Sequence, residues 1–288
     1  MQIIINSLIQ GLLLSLISLG FSIVYNSTGI MFIAQGAMYA LTPFLLLFFL
    51  NSGLGIIFSL TGAILAMVML SMMIELLNHQ PLYKKEASTQ IHLISSLGIY
   101  IAIVQIIIMI WGNESKVLTE EIIEPYTFSN IILTTPQIVS AIASLVIIII
   151  FFLWASRSYL GLKLRALQDN PIQLSLMGHN IKNLRLLAFA LCGFFTATGS
   201  ILSAYDIGFD PQTGLSIVLF AIVATVIGGK GSLFGTLIGS IVLGILRSQV
   251  VWYTNSNWQD AITFLILVIF LFFRPQGIMG KKGRIETA

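Results

Sequence analysis

The sequence predicts an all-α fold: a polytopic bundle of about eight to ten transmembrane helices, some of them interrupted. Three observations carry this. Hydrophobic residues make up 57% of the 288 residues and charged residues only 9%, whereas soluble domains carry about 25% charged residues. Mean hydropathy is +0.98. Apolar runs recur along the whole chain, and about 20 such residues suffice for one helix to cross hydrocarbon. Residues 1–288 therefore read as a single transmembrane domain. The net charge of +3 is no nucleic-acid footprint, because in such a chain the placement of charge matters more than its sum. The one cysteine, Cys192, excludes an intramolecular disulfide and sits in an apolar run where a thiol is inert.

The runs fall at roughly 3–24, 30–50, 54–77, 92–111, 136–155, 186–205, 214–229, 233–251 and 260–273. The first opens without a basic n-region or a small-residue cleavage site and is expected to be retained. Polar Asn26, Ser27, Thr28 and Gln35 interrupt the chain before the second run is established. That second run holds Pro43, the one proline inside a span, which removes a backbone hydrogen bond and bends the helix. The third ends before Pro81, and the fourth runs from His92 to Trp111. Pro136 opens the fifth and Trp154 closes it. Between the sixth and seventh, YDIGFDPQTG (205–214) brings Asp206, Asp210 and Pro211. The seventh and ninth are short for a full crossing. Trp252 and Trp258 flank the turn between the eighth and ninth, so all four tryptophans lie at run ends, where amphipathic rings settle at the interface.

With nine spans, all of the 14 Lys and Arg residues except Lys116 and Arg247 fall in one set of loops. The positive-inside rule makes that set cytoplasmic, with the C-terminus inside and the N-terminus outside. The segment 112–135 then faces out with Glu114, Glu120, Glu121 and Glu124.

No acidic, basic or histidine residue falls in the middle third of any run; Glu75, His92 and Arg247 sit near run ends. This disfavours a carrier driven by protons or sodium, which commonly needs such a residue. It also leaves no metal-ligand spacing and no nucleophile–base pair, so no catalytic residue, metal or cofactor is expected. Gly228–Gly229–Lys230–Gly231–Ser232 fails as a phosphate loop, because Gly rather than Ser or Thr follows the lysine and both flanks are spans. It reads instead as a tight turn, after which Gly231, Gly235 and Gly239 repeat every four residues as a helix-packing face.

Residues 156–185, SRSYLGLKLRALQDNPIQLSLMGHNIKNLR, are too polar to span. Leucines alternate there with Lys163, Arg165, Asp169 and Asn170. Asp169–Asn170–Pro171 is a helix-start signal and Gly178 a helix end. The loop thus holds one or two short amphipathic helices. Composition leaves two readings open: a helix lying on the membrane surface, or one that docks a cytoplasmic protein.

The order of motifs resembles the permeases of branched-chain amino acid ABC transporters. GLKLRALQDNPIQLSLMGHNIKNLR followed by LLAFALCGFFTATGSIL is similar to that family's cytoplasmic loop and next span. Gly29-Ile30, Ala34-Gln35-Gly36 with Tyr39, Tyr83-Lys84-Lys85, Ile94-Ser95-Ser96-Leu97-Gly98, Pro211 to Gly214, Val226 to Ser232 and Arg274 to Gly280 resemble further family elements in the family's order. Phe32, Gln35, Ala37 and Lys85 depart from the family pattern.

The resemblance implies one membrane subunit of an ATP-driven importer in the inner membrane of a bacterial cell. Its partners would be cytoplasmic ATP-binding subunits, a second permease subunit (the same chain or a sister) and an external solute-binding protein. It implies that 156–185 is the coupling loop, with Lys163, Arg165, Ala166, Asp169, Asn170 and Gly178 meeting the ATPase. It places Gln35, Gly36, Tyr39, Ser95, Ser96 and Gln105 on the translocation path of an apolar amino acid. The departures leave open a related importer of urea, short amides or other small polar solutes. A secondary carrier or channel would work without any ATPase.

Overall fold

The computed structural model describes residues 2–118, 126–128, 131–229, 231–253, 258–274 and 276–280. Glu120, Glu121, Glu124, Lys230, Pro275, Lys281, Lys282 and Arg284 lie outside the described residues. The chain is an all-α bundle. Its helices are α1 (Gln2–Thr28), α2 (Ala34–Asn51), α3 (Ile56–Ile74), α4 (Gln80–Lys84), α5 (Thr89–Trp111), α6 (Thr135–Arg157), α7 (Tyr159–Asp169), α8 (Pro171–Leu176), α9 (Ile181–Ile207), α10 (Thr213–Gly228), α11 (Leu233–Tyr253) and α12 (Gln259–Phe273). A hairpin of β1 (Tyr126–Phe128) and β2 (Ile131–Leu133) pairs Thr127 with Ile132. A π-helical turn, Glu75–His79, joins α3 to α4, making Ile56–Lys84 one helical run. Among the described residues, seven helical runs are long and apolar enough to cross a membrane, and α10 and α12 are shorter apolar helices.

α1 is the hub, packed against α6, α9, α10 and α11. Its small buried residues Ser7, Gly11, Ser15, Ser18 and Ser22 let neighbouring backbones come close. A Cβ on Gly244 of α11 would lie 2.6 Å from the Cα of Gly11. The outer faces of α3, α5 and α6 carry exposed Ile57, Met109 and Ile150, which suits contact with lipid. Around the hub, Phe195 meets Phe151 edge-on at 4.8 Å, and Phe32 meets Phe189 at 5.0 Å.

The first interruption is deeper than a turn. Gln35, in the first turn of α2, donates from Nε2 to the carbonyl of Ile17 at 2.9 Å and to Thr196 Oγ1 at 3.0 Å. Ile17 lies mid-way along α1, eleven residues before Thr28. Residues 29–33 therefore turn the chain back into the bundle beside the second half of α1. The amide of Ala34, one of the orphan donors of a helix start, is received by Ser96 Oγ at 2.9 Å. At the second interruption, α9 ends at Gly208 with φ +87. Phe209 then bridges to Lys116, and Asp210 Oδ1 accepts from the amides of Gln212 and Thr213. α10 begins against α2: a Cβ on Gly36 would meet the Gly214 carbonyl at 2.6 Å.

Three sequence motifs meet at the end of the bundle that carries α7 and α8. Asn26 Oδ1 accepts from the Gly231 amide at 3.0 Å. The Ile278 and Met279 amides donate to the carbonyls of Ile227 and Gly228 at 2.8 and 3.0 Å. The glycines divide by role. Gly231, with φ +85, lies in the turn ahead of α11 with nothing within 4 Å of its would-be Cβ. Gly235 and Gly239 press on the carbonyls of Gly228 and Ala224, leaving no room for any side chain. Gly235→Val is therefore expected to cost about 1–3 kcal/mol through overpacking, read as a lower thermal midpoint of the detergent-solubilised protein. Gly98→Ala, into open space on α5, should leave that midpoint unchanged.

Candidate coupling surface and the polar cluster behind it

Within 156–185 two short helices, α7 and α8, are separated at Asn170. Ser158 caps α7 by accepting from the Leu160 amide at 3.2 Å. Gly161 lies so close to the Ala155 carbonyl of α6 that no Cβ fits. Asn170 is extended and divides the segment at the expected helix start, giving two short helices. Its Oδ1 caps α8 by accepting from the Ile172 and Gln173 amides at 3.0 Å each. Met177 and Gly178, with φ +80, end it. Asn180 then starts α9 by accepting from the Lys182 and Asn183 amides.

The leucines divide between two faces. Leu164 packs with Phe151 and Phe195 of the bundle, and Leu167 and Leu174 pack with Leu184. Leu162, Ile172, Leu176 and Met177 are exposed. Arg165 is spent on the α6–α7 joint, donating from Nη2 to the Ala155 carbonyl at 2.7 Å. Lys163 stands over the Tyr159 ring at 4.3 Å. Ala166 is half-buried beside Leu167, and Asp169, the last residue of α7, is exposed.

Behind this surface lies a polar cluster that run-counting missed. With runs ending at 77 and opening at 186, Glu75 and Arg185 were placed at span margins. The helices instead continue to Lys84 and begin at Ile181, so both residues lie inside helices and are buried, 2% and 5% exposed. Arg185 Nε donates to Glu75 Oε1 at 2.7 Å, and the guanidinium stacks on Tyr83 at 4.4 Å. The π turn brings Glu75 and His79 to the same interior side. His79 Nδ1 faces His92 Nδ1 at 3.1 Å, and Phe32 lies edge-on to the His79 ring at 5.7 Å. Ser95 donates to Asn78 Oδ1 at 2.6 Å. One inserted residue per turn is not legible in an apolar run, although Glu75 within that run was a signal that could have been followed.

The residues expected on the path are dispersed. Gln35 is fully buried and pins α2 to α1 and α9. Gly36 is a backbone contact with α10, and Ser96 receives the first amide of α2. Ser95 belongs to the polar cluster. Tyr39 is buried, its carbonyl accepting from Ser200 Oγ at 2.6 Å. Gln105 is exposed on α5. Among the described residues no group of three or more His, Cys, Asp or Glu could hold a metal ion.

An all-α polytopic bundle with an amphipathic helix pair at its basic end has the form of a multi-pass membrane transport subunit. The chain belongs to the branched-chain amino acid transport system/permease component family, whose model matches residues 3–271. It is 24% identical to the high-affinity branched-chain amino acid transport system permease protein BraD of Pseudomonas aeruginosa, over 98% of this chain and 96% of BraD. It is 26% identical to the probable branched-chain amino acid transport permease protein LivH of Methanocaldococcus jannaschii, over 97% of this chain and 92% of that one. In solved structures, PsaBC from Streptococcus pneumoniae in complex with Fab shares the fold, with a TM-score of 0.50 and 14% identity over 94% of this chain and 91% of the other.

Proposed function

We propose that this chain is the permease subunit of an ATP-driven importer of branched-chain amino acids in a bacterial inner membrane. ATP-binding subunits dock at α7–α8 on the cytoplasmic side. A second permease subunit, identical or sister, and an external binding protein complete it, with the N-terminus outside and the C-terminus inside. The observation that carries the reading is the α7–α8 pair. Its inner leucines are locked into the bundle while Leu162, Ile172, Leu176 and Met177 face outward, which suits a groove on a partner. Residues 1–288 act as one permease domain.

A push on α8 passes along α9 to Arg185, and from there through Glu75 and the π turn to His79 and Phe32, on the segment that precedes α2. Rigid helices moving about such a packed contact switch access from one side to the other. An amino acid remains the solute in this reading: of the departures from the family pattern, Phe32, Gln35 and Ala37 are packed in the interior of this chain and Lys85 is exposed. The test is ATP-dependent uptake of labelled leucine by proteoliposomes holding the whole complex and its binding protein. Unlabelled isoleucine and valine should compete and urea or acetamide should not; the reverse order would reject the amino-acid assignment.

A further inference from the structure

A cavity of about 240 Å³ opens among α1, α2, α9, α10, α11 and α12 at the end away from α7–α8. Its mouth holds Ile207 and Gln259, and its floor reaches Ile17, the level at which Gln35 holds α2. Leu14 and Ile17 make an apolar wall, and Gln10 and Arg247 supply polar groups beside it. Drug-sized ligands take pockets of about 300–1,000 Å³, so this one suits a smaller molecule. Arg247 is unusually placed. Its guanidinium stacks on the Phe220 ring at 3.6 Å, and Nη2 reaches Asp260 Oδ1 only at 3.5 Å. Its Nε is buried without a hydrogen-bond partner among the described residues, while the residue itself borders the cavity. A guanidinium with one face covered by a ring and its outer nitrogens beside a cavity can present them to a carboxylate. A charge among apolar helices is costly unless it is paired or faces a polar cavity, and Arg247 has only the long Asp260 contact on one side and the cavity on the other.

We infer that this cavity is a solute site within the permease. Arg247 receives the α-carboxylate of an apolar amino acid, and the Leu14–Ile17 wall takes its side chain. This rests on the amino-acid reading above and adds a place where the permease itself holds the solute after release from the binding protein.

The test uses Ser203→Cys, a half-buried residue of the cavity lining, in the assembled complex without binding protein. Cys192, the chain's own thiol, is fully buried, so a cationic methanethiosulfonate, read on this chain after it is separated from its partners by gel, reports position 203. L-leucine at about ten times its Kd should slow labelling about tenfold, because about one site in ten is then open. Leucinol, which lacks the carboxylate, should not slow it at the same concentration. Adding Arg247→Gln should abolish protection by leucine while the thiol still reacts, and Arg247→Lys should restore part of it, which a merely structural arginine would not produce. Equal protection by leucine and leucinol would overturn the role of Arg247. No protection, in a complex that still imports leucine when ATP and binding protein are supplied, would overturn the site alone. Loss of import from the parent complex as well would instead remove the amino-acid reading on which the site rests.

Discussion

Arg185→Leu is expected to destabilise the permease by about 3–5 kcal/mol, because it leaves Glu75 buried and unpaired. Glu75 and Arg185 are almost fully shielded, and their 2.7 Å contact joins the π turn to the first turns of α9. Glu75→Leu alone should cost a similar amount by stranding the guanidinium. The pair Glu75→Leu/Arg185→Leu should regain most of the loss, since two apolar side chains can replace a buried ion pair at little cost. Thermal midpoints of the four proteins in one detergent close the cycle. The double variant also separates stability from transmission: it should fold and bind the ATPase yet import less solute per ATP hydrolysed than the parent. A double variant as unstable as the singles would show that the ion pair does not account for the loss.

Gly161→Val is expected to have the second large effect, at the joint between the bundle and the coupling helices. A side chain there would collide with the Ala155 backbone and force α7 away from α6, losing the Arg165 contacts to the Ala155 and Ser156 carbonyls. Overpacking of this kind costs about 1–3 kcal/mol. Expressed as docking, a loss of about 1.4 kcal/mol would weaken ATPase binding about tenfold. Titration of the ATP-binding subunits onto the solubilised permease measures it. Gln173→Ala, which trims an exposed side chain of α8 and keeps the Asn170 cap, should bind as the parent does.

Much of the fold was legible because membrane spans are written in composition. Tryptophans and prolines marked the ends of α5, α6 and α12 closely, and Asp169–Asn170–Pro171 marked the start of α8. The glycines of Gly228–Ser232 were readable as a turn, and Arg274–Gly280 as a segment resembling a family element. That the two clip together through the Ile278 and Met279 amides is a long-range fact that neither segment carries alone. The depth at which α2 begins was hidden for a related reason. Residues 25–36 look like a turn, and only the Gln35 bond to Ile17 shows that the chain re-enters the bundle. The Glu75–Arg185 cluster was missed because Arg185 was used to bound the sixth run and Glu75 was set down as lying near the end of the third. A charge paired across two helices allows both to continue past it, as α3 through α4 and α9 do. Arg247 was likewise set down as a charge near a run end, when its environment is a stacked aromatic ring and a cavity.

The most direct measurement is solute-stimulated ATPase activity of the assembled complex in proteoliposomes, comparing the parent with Leu176→Asp/Met177→Asp on the exposed face of α8. The parent should hydrolyse ATP faster when leucine and its binding protein are supplied. The variant, folded to the same thermal midpoint, should lose that stimulation. Unchanged stimulation in the variant, or leucine movement by the permease alone without any ATPase, would contradict the assignment of α7–α8 as the element through which ATP hydrolysis drives this permease.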